Sequence, residues 1–76
     1  MIQELDTVVL AHDIDQYRLR QGDIGAVVHC YKHGEAFEVE FVTGQGETIV
    51  TLTLAKSDIR LMQHREILHV RELLAA

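Results

Sequence analysis

A chain of 76 residues allows one compact domain, and so short a chain buries only ~60% of the surface its unfolded form exposes, which leaves a thin core. The single cysteine, Cys30, excludes an intrachain disulfide, and 12 Asp and Glu against 7 Lys and Arg give a formal charge of −5 that opposes a polyanionic partner. No apolar run approaches the ~20 residues of a membrane helix, and the opening MIQELD breaks its apolar residues with carboxylates where a secretory leader needs an apolar stretch, so the expected compartment is the cytoplasm.

In chain order, Asp6 to Leu10 (DTVVL) is a short β-branched run that predicts a first strand. Ala11 to Gln21 (AHDIDQYRLRQ) has no clean period and reads as a surface loop. In Gly22-Asp23-Ile24-Gly25 the two glycines tolerate positive φ and close backbone approach, which suits a tight turn into a second strand, Ile24 to Tyr31. Lys32-His33-Gly34 places a glycine where a short hairpin loop needs a left-handed residue. The third strand is the plainest: Phe37, Val39 and Phe41 fall on one face, Glu38 and Glu40 on the other, a period of two that means core on one side and water or a basic partner on the other.

Thr43-Gly44-Gln45-Gly46 is the next turn, and Glu47 to Leu54 then alternates Val50, Leu52 and Leu54 against Ile49, Thr51 and Thr53, a fourth strand. Ser57-Asp58 can open a turn or a helix. The remainder is rich in Leu, Glu, Arg and Ala, and the spacing of Ile67, Val70 and Leu74 predicts a helical tail over residues 61–76. The competing assignment is a fifth strand through Ile67 to Arg71, with Leu68 and Val70 on one side. Strands joined by tight turns, with one longer loop after the first, make the expected fold mainly β with a C-terminal helix (α+β): one domain, a small, strongly bent antiparallel sheet or SH3-like partial barrel.

The residues LDTVVL, GDIGAVVHCYKHGEAFEVEFV, GETIVTLTL and SDIR resemble the domain-of-unknown-function 4926 family of small bacterial proteins, over roughly residues 4–72. The specific part is the ordered combination G-D-I-G-x-V-V, the turn glycine, x-V-E-F-V and G-E-T; the ILHVREL tail is similar to longer members. Members often have L-P-E-Y-G-L in the first loop, where Asp15 and Arg18 here stand in the proline and glycine places. The resemblance implies an SH3-like β-rich domain and no established activity.

No constellation dictates a chemistry. Gly22-x-x-Gly25 matches the loop with which KH domains clamp RNA, but that loop joins two helices and this one precedes a strand. A KOW-like nucleic-acid-binding module has a similar glycine before a hairpin, yet it needs a basic stripe, and strand three carries Glu35, Glu38 and Glu40. His29, Cys30 and His33 crowd one hairpin, but His29 and Cys30 point to opposite faces of a strand, and a tetrahedral metal site needs further ligands; Cys30 reads as a small hydrophobe. His64 and His69, five apart, are not helical neighbours and read as surface residues. Asp13, Asp15 and Asp23 beside His12 and Tyr17 could line a small-molecule cleft around the first loop, although solvated loop charges explain them as well. Gly44-Gln45-Gly46 has no phosphate-binding helix after it. No cofactor, metal or catalytic group is expected.

What is left is apolar surface. Val8 with Val9, Val27 with Val28, and Ile49 beside Val50 put branched side chains on both faces of their strands, and Ile67, Val70 and Leu74 add a stripe. Such surplus marks contact with protein. The sequence therefore points to a non-enzymatic interaction module that self-associates, an accessory or antitoxin-like partner of another protein, with Ile67, Val70, Leu74, Glu38 and Glu40 as its candidate contact residues and neither nucleic acid nor membrane as partner.

Overall fold

The computed structural model describes residues 1–73. Five strands form one antiparallel sheet: β1 (Thr7–Leu10), β2 (Ile24–Tyr31), β3 (Ala36–Val42), β4 (Thr48–Ala55) and β5 (Ile59–Leu61), in the order β4-β3-β2-β1-β5. The sheet is open, with β4 and β5 at its two edges. The alternation in β3 decides which side is the core: Phe37, Val39 and Phe41 are buried, and they meet Val27 of β2, Leu54 of β4, Val8 and Leu10 of β1, and Ile59 of β5. The main-chain ladder and the apolar pattern therefore agree, as they must where one face is buried and a slip of one residue would invert it.

Two irregularities bend the sheet. Val27 pairs with Val39 and His29 with Glu38, so Val28 is an extra residue in β2; Phe41 pairs with Val50 and Val42 with Thr48, so Ile49 is an extra residue in β4. Each bulge breaks the strict inside-outside parity and sharpens the twist. Their effect on the branched pairs differs. Val28 is pushed to the exposed face, whereas Ile49 is turned to pack on the core beside Val50, and Val9 is buried outside the main cluster. Of the surplus apolar side chains expected on these strands, only Val28 is left half in water.

The two glycines of Gly22-Asp23-Ile24-Gly25 divide their tasks. Gly22 takes φ +95° in the turn; Gly25, already in β2, is buried where a Cβ would lie 2.6 Å from Val39 Cγ1 and 3.1 Å from the Glu40 carbonyl oxygen. The first loop is itself a small hairpin: Ile14 and Leu19 exchange backbone hydrogen bonds of 2.8 and 3.1 Å around a 3-10 turn at Asp15–Tyr17, and this delivers Leu19 to the core. Arg18 sits at φ +60°, the left-handed region that favours glycine. Glycine, which lacks a Cβ, adopts this region freely, whereas an L side chain there costs ~1–2 kcal/mol. Arg18→Gly is expected to stabilise the fold by up to ~1 kcal/mol, read as a higher urea midpoint, after the ~0.5–1 kcal/mol of extra freedom that glycine gives the unfolded chain.

Among the described residues the helical tail is not formed. Beyond Leu61 the described residues contain neither helix nor strand, so the alternative strand over Ile67 to Arg71 is absent too, and β5 lies instead at Ile59–Leu61, pairing with β1 through Val8↔Leu61 and Leu10↔Ile59. Leu74, the third member of the predicted stripe, lies outside the described residues. The reason is tertiary. A short helix is marginal unless its apolar face packs, and here the charged residues that would have been solvated on such a helix find better partners. Glu66 takes both ends of the Arg60 guanidinium at 2.9 and 2.6 Å, and Arg71 forks onto Asp23, with Nε 2.9 Å from Oδ1. Residues 62–73 turn at His64–Arg65 and otherwise lack regular structure, forming a strap whose Arg71 reaches back to Asp23 and the Arg18 carbonyl.

Candidate functional site

The strap and the turn it crosses make the most built feature of the surface. Asp23 is held from below by the Arg20 N–H (2.8 Å) and from above by Arg71, whose Nη2 also donates to the Arg18 carbonyl at 3.0 Å. Partial burial pushes the Asp23 carboxyl up, but Arg71 and the Arg20 N–H together outweigh it and hold the carboxyl below its usual range. At the other end of the strap, the Arg60 guanidinium and the Gln63 N–H, 2.6 Å away, hold the Glu66 carboxyl at about 2. Both anchors are bidentate or nearly so, the geometry that gives Arg–carboxylate pairs their directionality.

Around the Arg71–Asp23 anchor, the strap borders a groove of about 340 Å³. Its floor is Leu19, Ile24, Phe41 and Ile49, and His69, Val70, Arg71 and Leu73 form one bank. The strap nonetheless shows most of its apolar side chains to solvent: Ile67 is 90% and Val70 89% exposed. Those two predicted contact residues therefore share one segment without regular structure rather than one face of a helix.

Glu38 and Glu40 lie elsewhere, on the sheet's outer face, and they are not free carboxylates. Glu38 accepts hydroxyl hydrogen bonds from Thr53 (2.6 Å) and Tyr31 (3.2 Å), and Glu40 accepts one from Thr48 (2.6 Å). The Glu38 carboxylate in turn raises the pKa of the Tyr31 phenol. These cross-strand bonds leave the two residues half-buried and give the outer face of β3 and β4 a row of acid and hydroxyl groups.

Two of the three first-loop acids serve the structure. Asp13 accepts the Gln21 N–H at 2.7 Å, and Asp23 serves the turn and the strap. Asp15, Arg18, Arg20, Arg71 and Glu72 line a shallow hollow of about 520 Å³ whose walls carry opposed charges. Cys30 is half-buried against the core with its Sγ toward the Ile2 carbonyl, as a small hydrophobe would be. Among the described residues, no group of three or more His, Cys, Asp and Glu could hold a metal ion, and no helix is long and apolar enough to cross a membrane.

One polar pair escaped the sequence. His12 places Nε2 2.7 Å from Asp58 Oδ1 and Nδ1 2.9 Å from the Asp13 carbonyl oxygen. Both partners accept, so both ring nitrogens must donate, which is the charged form. Asp58 foremost, then the Asp13 carbonyl, raises the pKa of His12 above the ordinary 6.5, and His12 lowers that of Asp58 below 3.8. A raised histidine stabilises the fold below its unfolded value and loses that contribution as pH rises through its folded value; a lowered aspartate loses its own as pH falls. His12→Ala is therefore expected to lower the melting temperature most between these two ordinary values, with the gap to the parent closing in alkaline buffer. A gap independent of pH from 5 to 9 would contradict the ion pair.

A family model described as Domain of unknown function (DUF4926) matches residues 4–61. No curated protein and no solved structure matches the chain. The matched span takes in all five strands and the His12–Asp58 pair and stops where the strap begins. On that match, the chain belongs to the DUF4926 family.

Proposed function

We propose that the protein is a non-enzymatic interaction module of the cytoplasm, an SH3-like sheet that self-associates and serves as a small accessory partner of another protein. The observation that carries this reading is the strap: a segment without regular structure, fixed at two points by Arg60–Glu66 and Arg71–Asp23, that holds Ile67 and Val70 almost fully in water. Ordering a chain segment costs free energy at the moment of binding, and a segment ordered beforehand by its own ion pairs spares a partner that cost. Apolar side chains displayed on such a segment are a ready contact surface. The acid and hydroxyl row of the outer face supports a protein partner over nucleic acid, because phosphates would meet Glu38 and Glu40.

Light scattering over a concentration series tests the reading with the intact chain, a version ending at Met62, and Ile67→Ser combined with Val70→Ser. The intact chain is expected to form an oligomer that weakens ~10-fold or more, ~1.4 kcal/mol, in the double variant. The stability of that variant in urea should stay within ~0.5 kcal/mol of the parent, since both side chains are exposed. An intact chain that stays monomeric at high concentration would remove self-association and leave the strap as a cover for its own sheet.

A further inference from the structure

The two edges of the sheet are treated differently. Edge strands expose a row of unpaired N–H and C=O groups, and soluble proteins guard them with charge, proline, brevity or cover. β5 is three residues long, carries Arg60 at its centre and runs straight into the strap. β4 is eight residues long, TIVTLTLA, with no charge and no proline; its sole irregularity is the bulge at Ile49, near one end.

The phase of the ladder shows which backbone groups of β4 are free. Lys56 donates its N–H to the Glu35 carbonyl, 3.2 Å, in the position next to the pair Ala36↔Ala55. In an antiparallel ladder, hydrogen-bonded pairs alternate, so Leu54, Leu52 and Val50 turn their N–H and C=O toward β3, and Thr53 and Thr51 turn theirs outward. Among the described residues, no backbone hydrogen bond outside the sheet reaches Thr51 or Thr53, whereas the next outward N–H, that of Ala55, is taken by Asp58 Oδ2 at 2.8 Å. The open stretch is thus short and centred on Leu52.

We infer that this edge pairs with β4 of a second copy of the chain, antiparallel and two-fold symmetric about Leu52, so that two five-stranded sheets join into one. In that register Thr51 lies opposite Thr53 of the second copy and Thr53 opposite its Thr51, each pair exchanging both N–H···O bonds, and the two Leu52 residues meet in the closer, unbonded position between them. The sequence suits its own reverse: the centre reads Thr-Leu-Thr in both directions, and threonine opposite threonine is a favourable cross-strand pair. Charge selects the antiparallel sense. Glu47 precedes β4 and Lys56 follows it, so antiparallel pairing brings unlike charges toward each other at both ends, and parallel pairing would bring like ones. The acid row does not oppose it, because Glu38 and the Glu40 of the second copy would stand three strand spacings apart, ~14 Å, beyond the ~8 Å screening length of physiological salt. On the core side, half-buried Val50 and Leu52, which pack on the cluster from the sheet's edge, would gain cover.

The inference rests on the reading of the chain as self-associating and states where the second copy sits. Its test uses the full chain. Thr53→Pro removes one outward N–H and none that faces β3, a substitution an edge strand tolerates. Leu52→Cys, with Cys30→Ser, would set two thiols across the unbonded pair, where the Cα separation of ~4.5 Å is within disulfide range. Sedimentation is expected to show a dimer that Thr53→Pro weakens at least ~10-fold, Leu52→Cys should cross-link under mild oxidation, and in the unaltered protein the Thr51 and Thr53 amides should exchange more slowly as concentration rises. A dimer that forms while those two amides stay concentration-independent and Leu52→Cys fails to cross-link overturns the edge pairing but keeps self-association. A dimer insensitive to the Ile67 and Val70 substitutions but dissolved by Thr53→Pro keeps the edge and removes the strap from the self-interface. A monomer throughout removes both.

Discussion

Phe41→Ala is expected to unfold the domain or bring it to the verge of unfolding. Phe41 is among the largest fully buried side chains; it reaches the Gly25 backbone on one side and lines the floor of the strap's groove on the other. Truncating a buried phenylalanine costs ~3–5 kcal/mol, from lost transfer energy and the cavity left behind. A domain of this size holds about 4–11 kcal/mol in all, at ~0.05–0.15 kcal/mol per residue. Few neighbours can collapse into the gap in so thin a core. Urea denaturation followed by circular dichroism should show the midpoint falling by about half or the transition vanishing, whereas Glu38→Ala on the opposite face, losing hydroxyl hydrogen bonds, should cost ~1 kcal/mol. The reverse order would mean that β3 is inserted with its faces exchanged.

The second large effect is expected from Gly25→Ala, the addition of one methyl group. At 2.6 Å from Val39 Cγ1 the new Cβ would overlap a buried side chain, and at 3.1 Å from the Glu40 carbonyl it would press on the backbone of β3 as well. Val39 is itself fully buried in one cluster with Phe41 and Val27, so the methyl presses into a core that is already filled. Overpacking of this kind costs ~1–3 kcal/mol, and part of it should be recovered by Val39→Ala in the same chain, which opens the space the methyl needs. Two independent, additive losses in the double variant would show that the glycine is required for something other than the approach of β2 to β3.

β1 and β2 were legible as β-branched runs bounded by turn residues, and β3 and β4 by their alternation, because both signals are set by neighbours a few residues away. Phe37, Val39 and Phe41 with Leu54 follow from that parity alone. The bulges were not legible: β-branched pairs at Val27-Val28 and Ile49-Val50 break the alternation, but which member turns inward depends on the pairing strand. Leu19 was hidden by its polar loop, although a lone leucine between two arginines is the one signal that the loop dips into the core. The tail failed for a different reason. Its stripe is a true helical spacing, and what prevents the helix is a pair of contacts, Arg60–Glu66 and Arg71–Asp23, of which the second spans most of the chain. The same separation hides His12–Asp58. Of the candidate contact residues, Ile67 and Val70 are exposed but lie on a segment without the expected helix, and Glu38 and Glu40 lie on the outer face with threonine and tyrosine partners that the sequence did not show.

The position of β1 between β2 and β5 also governs what happens while the chain is being made. Strands β2, β3 and β4 are neighbours both in sequence and in the sheet, so they can meet as soon as each emerges. β1 leaves the ribosome first, and its second neighbour leaves last. At ~5–20 residues per second, the roughly fifty residues between Leu10 and Leu61 take about 3–10 s to translate. For that interval Val8, Val9 and Leu10 form an apolar edge with one side open, and closing it requires a contact between opposite ends of the fold, the slow kind. The nascent protein is thus most prone to misassociate just before Ile59–Leu61 emerge, and a pause in translation there would lengthen the exposure of the strand that the finished sheet buries most deeply.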